Sequence, residues 1–202
     1  MRRRLFWLLV VSGFALVTVV VFLRGHGITA RRGSLPGEQQ VAKAVWRYLV
    51  PGDVRKAPNP VANTPETITA GLEHFADHCA TCHANNGSGD TAIGRNVYPP
   101  APDLRSPRTQ NLSDGELFYA IERGIPWTAM PAWGNGTPDG TRGSWELVRF
   151  IRHLPALTPA EITAMERLNP KSAADIAQDK AIEEFLQGKS SSATAAKEHR
   201  HK

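Results

Sequence analysis

Cys79-Ala80-Thr81-Cys82-His83 is the stretch on which the reading of this chain turns. It is C-x-x-C-H, the spacing at which haem c is attached. On a helix the two cysteines lie three apart and His83 lies four from Cys79, so all three share a face. Thiols so placed can add to the two vinyl groups of a haem, and the imidazole sits beneath the iron. The competing readings are a zinc half-site and a dithiol redox pair. Structural zinc wants four Cys/His ligands, whereas the chain has two cysteines in all and no second cluster. A thioredoxin-like pair belongs in a βαβ pattern, and none is visible. The expected cofactor is one haem c, covalent through Cys79 and Cys82, with His83 as an axial ligand. Both thiols are then used, and no disulfide is available.

Upstream of the motif, Thr64-Pro65 reads as an N-cap and first helical position. Ile68, Leu72, Phe75 and Cys79 recur at helical spacing, predicting a helix that carries the motif at its end. Downstream, Asn85 to Pro102 is rich in turn residues and predicts no regular element. A long irregular segment in a small domain wraps something, here the haem. Leu112 and Leu117 flank the capping box Ser113-Asp114-Gly115-Glu116 as a hydrophobic staple. That helix should end at Gly124 in an αL turn. Ile125 to Gly134 is a loop, followed by a Gly-rich turn. Ser144 is the expected cap of a helix through Leu154. A further capping box, Thr158-Pro159-Ala160-Glu161, starts a helix to Leu168. Ser172 starts another, to Gly188.

The second axial position decides the chemistry. Met130 is the candidate, because it lies in a loop between two helices, is followed by Pro131, and comes 47 residues after His83. A thioether favours ferrous iron, so His/Met ligation raises the potential. The alternative is a methionine that merely fills a gap. Trp127, Trp133 and Tyr98 are candidates to line the pocket, and Arg95, Arg105 and Arg108 to pair with propionates. His74, His78 and His153 read as surface residues. His199 and His201 belong to a charged tail.

With these residues in place, 64–155 resembles the class I c-type cytochromes. The resemblance rests on Cys79-x-x-Cys82-His83, on Met130-Pro131, and on Gly71 and Phe75, eight and four residues before Cys79. It implies that the first helix crosses the last at Gly71 and meets an aromatic there, with Phe150 in that role. It also implies a proline carbonyl accepting from the axial histidine Nδ1–H, and Pro102 is the match. Gly124 to Gly134 is similar to the methionine loops of bacterial membrane-bound cytochromes. The implied fold is all-α, a cytochrome c-like haem domain.

Around that domain the chain carries appendages. Leu5 to Leu23 is 19 residues without a charge, roughly 28 Å as a helix and near the hydrocarbon thickness. Its length and the large Ile28 in Ile28-Thr29-Ala30 favour an uncleaved anchor over a signal peptide. Arg2, Arg3 and Arg4 would stay in the cytoplasm. Haem c is attached outside the bacterial cytoplasm, so the expected location is a single-pass inner-membrane protein with its haem domain on the periplasmic side. The expected organisation is an anchor over 1–24, a linker over 25–63, the haem domain over 64–155, a short helical tail over 156–188 and a disordered end over 189–202. Glu38 to Val50 predicts a short helix inside the linker, with Val41, Val45 and Tyr48 or Leu49 on one face. It lies either on the membrane surface or against the haem domain. Pro51 to Pro60 reads as more linker.

The charge is uneven. Residues 1–63 carry ten Lys/Arg and two Asp/Glu, +8, while residues 64–155 carry seven Arg and ten Asp/Glu, −3. The high isoelectric point therefore belongs to the membrane-proximal part, and no nucleic-acid partner is expected. The lysine-free haem domain suggests basic redox partners. The function expected is one-electron transfer in a bacterial respiratory or dehydrogenase-linked chain, by a carrier and not an enzyme, either free or as the haem subunit of a larger oxidoreductase. If Met130 is core, a five-coordinate haem sensor or catalytic haem protein takes its place.

Overall fold

The computed structural model describes residues 2–26, 29, 37–171 and 173–187. Among them every regular element is helical, in agreement with the all-α class. Nearly all of the 25–36 segment, the 189–202 tail with its two histidines, and Ser172 lie outside the described residues.

Helix α1 runs Arg2–His26 and is long and apolar enough to cross a membrane. Helices α2 (Glu38–Leu49) and α3 (Gly52–Lys56) follow. Three later helices begin with a Thr-Pro pair: α4 (Pro65–His74), α9 (Pro138–His153) and α10 (Pro159–Leu168). In each, the threonine hydroxyl accepts an orphan backbone N–H of the first turn, and the proline gives up an N–H that had no partner there. The start of α9 corrects the expectation for Ser144. Thr137 caps the helix two turns earlier, and Ser144 is buried within it.

The first and last helices of the expected haem domain, α4 and α9, cross at Gly71. A Cβ there would stand 2.3 Å from the Glu146 carbonyl oxygen and 2.9 Å from the Phe150 Cβ. Without a side chain, the two backbones meet directly. The Phe75 and Phe150 rings lie 5.1 Å apart at 55°, inside the range where tilted aromatic pairs attract. Leu147, Val148 and Phe150 from α9 and Phe75 from the α4 end are almost wholly buried. Met165 of α10 enters the same core.

Helix α8 (Asp114–Arg123) carries the expected capping box, and Leu117 and Ile121 enter the core from it. Its terminator differs from expectation. Gly124 has φ 67° but ψ −177°, an extended positive-φ region essentially restricted to glycine, not the αL region. Two segments read as irregular hold short helices. Residues 92–96 form α6 (Ala92–Asn96), capped by Thr91, and α3 interrupts the expected linker at 51–60. Helices α7 (Pro107–Gln110) and α11 (Ala173–Leu186) complete the order, α11 ending two residues before Gly188.

Packing carries across the boundaries expected at 63/64 and 155/156. The α3 backbone lies so close to α8 that a Cβ on Gly115 would fall 1.8 Å from the Val54 carbonyl oxygen. Arg149 donates to the Val61 carbonyl at 2.7 Å, and Asn59 Nδ2 donates to the Trp145 carbonyl at 3.0 Å. Residues 57–61 are thereby strapped along α9.

Candidate functional site

Helix α4 does not run straight into the Cys/His motif. Phe75–Cys79 is a π-helical turn, and α5 (Ala80–His83) completes the segment. Such a turn holds one residue more than an α turn and is frequent at functional sites. Immediately after His83, Ala84 has φ 59° and ψ 155°. A non-glycine residue there is strained and persists only where its surroundings hold it. Those surroundings fold back on the motif. Gly89 N–H donates to the His83 carbonyl at 2.8 Å, and Thr91 Oγ1 donates to the Thr81 carbonyl at 2.8 Å. A Cβ on Gly94 would stand 2.3 Å from the Cys82 carbonyl oxygen. Leu104 N–H donates to the Gly87 carbonyl at 2.8 Å, closing the loop. Thr91, Gly89 and Gly94 were missed as site residues, although Thr91-x-x-Gly94 is a legible cap.

Cys79 and Cys82 are free thiols. Burial chiefly, with the neighbouring Cys82, pushes the Cys79 thiol up to about 12. Among the described residues no three His, Cys, Asp or Glu side chains converge as a metal cluster. Burial lowers the His83 pKa, keeping the imidazole neutral, and the Pro102 carbonyl beside it opposes that shift. The buried Nδ1 has no hydrogen-bond partner among the described residues. Two cysteines at the attachment spacing beside a histidine fit haem c, whereas a structural zinc would need four ligands and the described residues offer no cluster of even three.

Met130 comes from a separate loop pinned to the end of α8. Ile125 N–H donates to the Met130 carbonyl at 3.2 Å, Trp133 N–H to the Ile121 carbonyl at 2.9 Å, and Thr128 Oγ1 accepts from Met130 N–H at 3.1 Å. A Cβ on Gly124 would come within 2.8 Å of the backbone of Met130, Pro131 and Ala132. The loop touches the attachment helix through Trp133, whose ring stands edge-on to His78 at 5.3 Å. The structure thus brings Cys79, Cys82, His83 and Pro102 together and holds Met130 independently, in a partly buried position.

Several candidates for the pocket lie elsewhere. Trp127 is 95% exposed with φ 58°. Tyr98 hydrogen-bonds Glu38 of α2. Arg95 pairs with Asp90, Arg105 with Asp103 through two 2.9 Å bonds, and Arg108 with Gln39. Each arginine takes the nearest acceptor, which sequence alone does not reveal. His153 is not a free surface residue either, since it bonds Glu161 at 2.8 Å across α9 and α10. His74 is held between His78 and Gly143, and burial lowers its pKa.

The family described as cytochrome C oxidase, cbb3-type, subunit III matches residues 66–151. That span is under half of the chain and contains the Cys/His motif, Met130 and all but the outermost residues of both crossing helices. The similarity supports a c-type cytochrome domain there and, with it, electron transfer by a haem protein.

Proposed function

We propose that the chain is a membrane-anchored one-electron carrier with a single haem c, bonded through Cys79 and Cys82 and ligated axially by His83 and Met130. When bound, haem c supplies the one-electron iron couple. The chain's residues do the rest. The thiols tether the group, and His83 is kept neutral by burial and turned by the Pro102 carbonyl. Met130, on a loop braced by Gly124 and Thr128, supplies a soft ligand that raises the potential. The single observation that carries this reading is the Cys79-x-x-Cys82-His83 segment just after α4, with no disulfide between its cysteines and the His83 Nδ1 buried. In this reading the carrier sits on a bacterial inner membrane with residues 64–155 on the periplasmic side, which the length and apolar composition of α1 support. Its partners are redox proteins, and the similarity to an oxidase subunit favours a fixed haem subunit over a free carrier.

Optical spectra of the purified ferric and ferrous protein, with and without carbon monoxide, test the ligation. A low-spin ferrous spectrum, the weak far-red sulfur–iron band of the ferric form and no response to carbon monoxide are expected. High-spin spectra with ready carbon monoxide binding would remove Met130 as ligand and make a five-coordinate sensor or catalytic haem protein the better reading. Met130→Ala should lower the midpoint potential. Co-purification with other subunits separates a fixed component from a free carrier.

A further inference from the structure

Helix α2 is docked by its polar side. Gln39 and Lys43 meet Arg108, Arg47 meets Glu116, and the Trp46 ring lies 6.4 Å from Tyr119. Val50, at the helix end, is buried. The opposite face carries Val41, Val45, Tyr48 and Leu49, exposed at 65, 51, 85 and 66%. Amphipathic helices normally turn their apolar face to the core, and this one is held the other way round. Rolling it over would break the Arg47–Glu116 pair and expose Val50. Its successor α3 is seated on α8 at Gly115, so α2 moves with the haem domain as one piece.

We propose that the Val41/Val45/Tyr48/Leu49 face lies in the headgroup layer of the bilayer that α1 enters, and so fixes the haem domain against the membrane. The inference rests on the proposed reading that α1 is a membrane anchor. Three observations select lipid as the occupant. First, α1 ends at His26 and α2 begins at Glu38. The intervening residues 27–37 reach at most roughly 40 Å when extended and about 20 Å as a flexible chain. The apolar face is therefore tethered within reach of the bilayer surface, at a high effective concentration. Second, Lys43 and Arg47 are taken up on the docked side, but Arg55 and Lys56 of α3 stand exposed beside the apolar face, a positive flank suited to anionic headgroups, whereas residues 64–155 are net acidic. Third, the exposed set joins aliphatic side chains to a tyrosine, the composition of a helix lying in the interface.

The test uses the full-length holoprotein reconstituted in phosphatidylcholine vesicles with and without phosphatidylglycerol. Both native thiols are consumed by haem, so wild type should take no nitroxide label and serves as the control. Val45→Cys and Leu49→Cys, both exposed, are labelled singly, as is Glu73→Cys on exposed α4. Power saturation should show oxygen accessibility above that of a nickel chelate at positions 45 and 49, and the reverse at 73. Nickel access at 45 and 49 would overturn the inference, and shielding from both reagents would overturn it in favour of a protein partner. Alkaline carbonate extraction reads the anchor separately. Release of the chain overturns the reading of α1, whereas a retained chain with a wet position 45 overturns only the membrane docking of α2.

Discussion

Arg47 reaches 69 residues along the chain to Glu116, Nε to Oε1 at 2.7 Å, and that carboxylate is fully buried. Glu116 is also the last residue of the α8 capping box, accepting from Ser113 N–H at 2.8 Å. One side chain therefore closes a helix end and holds α2. Burial alone would raise its pKa, but the hydrogen bonds from Arg47 and Ser113 outweigh it and hold the carboxyl below its usual range.

Removing Arg47 leaves that carboxylate buried with only its capping bonds. Arg47→Ala should cost about 1–3 kcal/mol at neutral pH, toward the lower end because the guanidinium is partly exposed. The sign with pH follows from the depressed folded pKa. The stabilisation is present above the unfolded value of 4.5 and is lost as pH falls through the lower folded value. Urea unfolding of both proteins between pH 7 and pH 3 checks this, and the gap between them should shrink at the acid end.

The Gly71 crossing makes a sharper demand. Gly71→Ala places a methyl group against a backbone carbonyl, which cannot rotate away as a side chain can. A loss of about 1–3 kcal/mol or more is expected, against a change within about 0.5 kcal/mol for Glu73→Ala on the exposed side of the same helix. Denaturant titrations of the holoproteins decide between them.

Gly124→Ala tests whether the loop holding Met130 depends on α8. The substitution meets both a positive φ and the backbone of Met130 to Ala132. Strain on the order of 1–3 kcal/mol is expected, relieved by displacement of the loop. The far-red sulfur–iron band should weaken while the helical circular dichroism stays. An unchanged band would show that the loop holds its shape without this contact.

Cys79→Ala/Cys82→Ala should produce a chain from which acidified acetone extracts all haem, whereas wild type retains it. Haem staining after denaturing electrophoresis reads the same difference. Retained haem in the double variant would mean the attachment lies elsewhere.

How much of this was legible beforehand follows from the range of each interaction. The Ser113 and Thr158 capping boxes and the Thr64-Pro65 start are local, because every partner lies within a few residues. The Gly71, Phe75 and Phe150 crossing was legible through family spacing. The π turn at Phe75–Cys79, the strained Ala84 and the Thr91 clasp were not, since each depends on backbone brought from elsewhere in the chain.

By itself, then, the sequence determined the helical class, the motif that points to a c-type cytochrome, and the starts of α4, α8 and α10, because a short motif and a cap are short-range facts. Only the tertiary structure decided which arginine meets which acid, that Trp127 stands in solvent, and which way α2 faces. Amphipathicity says that a helix has two faces and not which one will dock. Here a buried Glu116 needing a cation, the burial of Val50 and the Trp46–Tyr119 contact drew in the polar side and left Val41, Val45, Tyr48 and Leu49 outward.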